Sequence, residues 1–91
     1  MREKELHKKD YLKSDREKYI LVLFNDEVNT FDHVIKSLVE VCGHDSYQAE
    51  QCALLTHLKG SCDIKTGSKE MLHTMSKSLK SKGLKAKVES L

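Results

Sequence analysis

The chain lacks what several function classes require. No apolar run in its 91 residues approaches the roughly 20 residues of a membrane-spanning helix. The opening stretch MREKELHKKDYLKSDREK has no apolar centre, so it does not read as a secretory signal. Aromatic residues are scarce, at 5%, and the hydrophobic fraction of 38% is enough for one modest core in one small domain. Cysteines number three, Cys42, Cys52 and Cys62, an odd count at wide spacing. That is poor material for a disulfide framework and suits a reducing, cytoplasmic setting. Cys42-Gly-His44 is not joined by any Cys-x-x-Cys unit, so structural cysteines are expected rather than a metal site. A glycine-rich phosphate loop and a Gly-x-Ser-x-Gly elbow are also missing.

Charge is balanced rather than biased. Residues 1–18 hold seven basic and five acidic side chains, and residues 19–91 hold nine of each. A neutral core domain with a weakly basic extension is not the footprint of a nucleic-acid binder. The extension has few apolar residues among charges of both signs, too few to offset its ordering entropy. We therefore expect a flexible tail over 1–18 and a folded domain over 19–91.

What is present begins with Tyr19–Phe24, six apolar and mostly β-prone residues that read as a central strand covered on both faces. Phe31, Val34, Ile35, Leu38, Val39 and Cys42 then recur at helical spacing, with Asn29 as candidate cap and Gly43 as stop. A second helix opens on the capping-box pair Asp45 and Gln48 and stops at Gly60. SCDIKTG is strand-like, SKEMLHTMSKSLKSKG places Leu72, Met75 and Leu79 on one helical face, and LKAKVES alternates as a half-buried strand. The order β-α-α-β-α-β predicts an α+β domain with three helices on one face of a three-stranded sheet.

The first strand ends on Asn25-Asp26-Glu27. Carboxylates there have a plain explanation, a turn or a favourable place near a helix N-terminus. His57, in the last turn of the second helix, has an equally plain one as a dipole-compatible end residue. If the two segments converge, an amide oxygen, a carboxylate and a neutral imidazole nitrogen form a set of acceptors suited to an ammonium group. Asp26 and Glu27 are adjacent, so on an extended chain they point to opposite faces and cannot flank one bond. No catalytic constellation is present, and the reading is of a protein that is not an enzyme and carries no cofactor.

The stretches LVLFNDEVNTFDHVIKSLVEV and AEQCALLTHLKGS, followed by a closing helix and strand, resemble the ClpS family of Clp protease adaptors over about residues 19–89. The sharpest shared elements are Asn-Asp-acid after the first strand and His-x-x-Gly ending the second helix. The resemblance implies an adaptor, acting as a monomer, that binds the free N-terminus of proteins with a bulky hydrophobic first residue. It implies delivery to the N-domain of a Clp-type AAA+ unfoldase, ClpA-like or ClpC-like, with the tail taking part. By position it assigns Asn25, Asp26, Glu27 and His57 to the α-amino group, and Phe31, Val34, Ala53 and Leu84 to the side-chain pocket. Of these four, all but Val34 would otherwise pass as ordinary core. Glu70, on the third helix, falls where the family docks its unfoldase. The alternative is a protein–protein interaction domain of the same architecture without such a pocket.

Four departures stand out. Glu27 replaces the family's second aspartate, Asn29-Thr30 replaces Thr-Pro, and Phe31 and Ala53 replace two methionines of the pocket. On the third helix, His73 and Met75 stand where the family carries Glu and Lys. Phe is larger and stiffer than Met and Ala is smaller, so a reshaped pocket is expected.

Overall fold

The computed structural model describes residues 18–91; apart from Lys18, the expected tail lies outside the described residues. Tyr19–Phe24 forms β1, Ser61–Gly67 forms β2 and Lys85–Ser90 forms β3. The sheet order is β2-β1-β3, with β1 antiparallel to both neighbours. Three helices complete the domain: α1 over Phe31–Cys42, α2 over Ser46–Lys59 and α3 over Lys69–Ser81. This is the expected β-α-α-β-α-β order.

The core follows from side-chain alternation along β1. Leu21 and Leu23 point to the helices, where they cluster with Leu38, Leu72, Leu79 and Leu84. Burying each such leucine contributes about 1.5–3 kcal/mol. Ile20, Val22 and Phe24 alternate onto the opposite face and stand outside that cluster. Val22 is nevertheless buried at 5% exposure, so the middle of the central strand is covered on both faces, while the helix-side cluster lies on one of them. On β2 the pairing register slips by one residue at Ile64, between Leu21↔Lys65 and Val22↔Asp63. This bulge keeps Cys62, Ile64 and Gly67 all buried despite their uneven spacing.

Helix ends are set by local chemistry. Asp45 and Gln48 form the full capping box at the start of α2. At α1 the cap is Thr30, whose hydroxyl accepts from the His33 backbone N–H at 3.1 Å. Asn29 had been the expected cap, but its side chain is engaged elsewhere. Gly43 and Gly60 close α1 and α2 in left-handed conformation. Ser76, buried on α3, donates to the Ala86 carbonyl of β3 at 3.4 Å. Cys42, Cys52 and Cys62 are buried free thiols. Burial, aided by a hydrogen bond with Cys62, pushes the Cys52 thiol well up and keeps it protonated.

Candidate functional site

The exit of β1 and the exit of α2 are joined by one backbone bond. The Asn25 N–H donates to the Gly60 carbonyl at 3.0 Å. Gly60 supplies this carbonyl from φ +94°, a conformation that L side chains rarely adopt. The bond brings Asn25, Asp26 and Glu27 to the same cleft as His57, three residues before Gly60.

Asp26 organises the loop that follows. Its Oδ1 accepts from the backbone N–H groups of Val28 and Asn29, both at 2.9 Å. Its Oδ2 accepts from the Asn29 side-chain amide at 2.8 Å. Burial is the largest single influence and pushes the carboxyl up. The bonds from Asn29 and Val28, with the Lys85 charge, outweigh it and hold Asp26 below the ordinary carboxylate value. The same Asn29 amide donates to the Gly83 carbonyl at 2.8 Å. The His33 ring, through Nε2, meets the Lys82 carbonyl at 2.7 Å. Together these contacts fasten the start of α1 to the turn between α3 and β3, where Leu84 begins the final wall.

The result is a cleft of about 500 Å³, within the usual range for ligand sites. The structure brings all eight residues expected at the α-amino group and the side-chain pocket to this cleft. Asn25, Glu27 and His57 are exposed and Asp26 is half-buried. Ala53 and Leu84 are buried at 3% exposure, while Val34 is half-buried. Phe31, expected to pass as core, is 42% exposed at the first position of α1. The chain commits its ring to the cleft and not to the core cluster. Glu70 lies elsewhere, exposed in the first turn of α3.

Sequence reasoning missed four lining residues: Leu23, Phe24, Asn29 and Thr56. Thr56 was within reach, because it lies three residues after Ala53 and so shares its helical face. Its hydroxyl donates to the Cys52 carbonyl at 2.8 Å, which satisfies a buried polar group on an otherwise apolar wall. Asn29 gave no comparable signal, since its partner Gly83 is 54 positions away. Among the described residues no cluster of three His, Cys, Asp or Glu side chains could hold a metal ion, and no helix is long and apolar enough to cross a membrane.

Fold and cleft together define a class: a small α+β domain with acceptor groups gathered at the mouth of an apolar cleft. The chain belongs to the ClpS family, for the profile of the ATP-dependent Clp protease adaptor protein ClpS matches residues 14–87. No individual curated protein matches it by sequence. In three dimensions it is similar to Agrobacterium tumefaciens ClpS2, solved bound to L-phenylalaninamide, with a TM-score of 0.76 and 22% identity. That likeness covers 84% of this chain and 100% of the other, and at this identity it shows the fold.

Proposed function

We propose that the chain is an adaptor that captures proteins by a free α-amino group and a bulky hydrophobic first residue, then delivers them to a Clp-type AAA+ protease. Family membership supports the adaptor role, and the observation that carries the recognition step is the composition of the cleft. Acceptors from two distant segments gather at its mouth, while Leu23, Val34, Ala53 and Leu84 give it apolar walls.

Each polar group has a distinct part in this reading. The Asn25 side-chain oxygen and a His57 ring nitrogen accept from the ammonium, and Glu27 supplies negative charge from an exposed position. Asp26 adds a second charge. A carboxylate has about four lone-pair positions, so the three bonds it accepts within the loop leave one to spare. No bond is made or broken, and no cofactor is needed. The ligand amine is charged below about pH 8, so capture works at neutral pH. Glu70 on α3 and the tail over residues 1–18 would serve the unfoldase, ClpA-like or ClpC-like, in a reducing cytoplasm that leaves the three thiols free.

The test is binding of labelled peptides that differ only at residue one, against an N-acetylated copy. Binding of the free amine that acetylation abolishes is the expected result. Equal binding of free and acetylated peptides, or none, would favour a plain interaction domain of the same architecture.

A further inference from the structure

The apolar lining divides into two kinds of residue. Leu23 and Leu84 belong to the core cluster, and Val34 packs against it. These three form a fixed aliphatic surface. Phe24, Phe31 and Ala53 line the same cleft but belong to neither group, and of these Phe24 is the last residue of β1 and alternates onto the sheet face away from the core cluster. Ala53 is 3% exposed, so its methyl is covered while adding almost no bulk to its wall. Phe31 holds a rigid ring at the N-terminus of α1, 42% exposed and free of the core.

We propose that this cleft selects an aromatic first residue over a branched aliphatic one, and that the Phe31 ring is the specificity-determining contact. The inference rests on the N-terminus reading above and deepens it.

Fixed aliphatic walls favour any apolar side chain in proportion to the area it buries, and so discriminate weakly. An uncommitted ring discriminates by kind. Its electron-rich face and electropositive edge attract another ring in offset or edge-on geometry, a gain that leucine does not share. Ala53 brings only a methyl to the cleft from α2, while Phe31 brings its ring from α1. Burying a larger apolar area adds to the same preference.

The experiment measures affinities of the full chain for peptides beginning with Phe, Tyr, Trp, Leu or Ile and otherwise identical, with N-acetyl-Phe as control. The aromatic starts should bind about three- to tenfold more tightly than Leu. In Phe31→Leu the ratio of Phe-start to Leu-start affinity should fall about twofold or more toward one, whatever the absolute affinities become. Ala53→Met adds bulk where α2 lines the cleft and should weaken the larger aromatic starts more than Leu. Leu binding as tightly as Phe in the unmodified chain would overturn the inference while leaving amine recognition standing. A Phe-to-Leu ratio unchanged in Phe31→Leu would overturn the assignment to that ring. Acetylated and free peptides binding alike, or no peptide binding, would overturn the underlying reading and this inference with it.

Discussion

The Asn29 side-chain amide donates to the Gly83 carbonyl at 2.8 Å, across 54 positions of sequence, and at the same time to Asp26 Oδ2. One side chain thus holds two walls of the cleft in register. Its replacement tests how much that clasp contributes. Asn29→Ala should lower stability by about 1–2 kcal/mol, the range for lost hydrogen bonds at a partly buried site. Asn29→Asp should be worse, because it sets a carboxylate against both Asp26 and the Gly83 carbonyl. Urea midpoints of the two variants give the order, and an Asp variant as stable as the unmodified chain would contradict it.

Asp26 predicts a dependence on acid. Its carboxyl is held below the ordinary value in the folded chain, so its stabilising effect is full above the unfolded value of about 3.9. That effect is lost as pH falls through the folded value. Asp26→Asn should therefore melt below the unmodified chain at pH 7, with the gap closing as pH falls below the unfolded value. A gap that holds or widens in acid would reverse the assigned sign.

His57 separates binding from folding. It is exposed, and its side chain has no hydrogen-bond partner among the described residues, so His57→Ala should leave the melting temperature nearly unchanged. In peptide titrations the same variant should lose about 1–3 kcal/mol of affinity, roughly five- to 150-fold. Parallel calorimetry and titration make the comparison; full affinity in the variant would remove His57 from the site.

Gly60 tests the joint between strand and helix. A Cβ there meets no atom within 4 Å, so the cost of substitution is conformational and not steric crowding. Gly60→Ala should lose about 1 kcal/mol from the left-handed backbone alone. Gly60→Asn should lose less, because Asn tolerates that conformation. Denaturation midpoints in the order Gly, Asn, Ala are expected, and an alanine variant at or above the asparagine one would contradict the backbone argument.

The elements were legible because local chemistry specifies them. The capping box at Asp45, the period of α1 and the alternation of β3 each carry their own signal within a few residues. Where two neighbouring side chains compete for one role, the signal blurs. Asn29 and Thr30 are both competent caps, and because α1 begins at Phe31 the cap position falls on Thr30, while the Asn29 amide donates to Asp26 and Gly83. Six consecutive apolar residues in β1 likewise read as cover on both faces, and Val22 is buried on the far side, but the run does not tell that Ile20, Val22 and Phe24 stand outside the helix-side cluster. At the site, residue types and helical spacing pointed to His57 and the Asn25–Glu27 run. The convergence itself, through the Asn25–Gly60 and Asn29–Gly83 bonds, is a tertiary fact with no local trace.

Those two bonds also make the cleft a gauge of the folded population. Its walls come from the β1 exit, the α2 exit and the turn before β3, so no single segment retains it once the chain opens. A molecule that fits the cleft therefore has no foothold on the unfolded chain, and its binding energy adds directly to global stability. At a concentration one hundred times Kd it should contribute about 2.7 kcal/mol. The denaturant midpoint would move while the slope of the transition stays fixed.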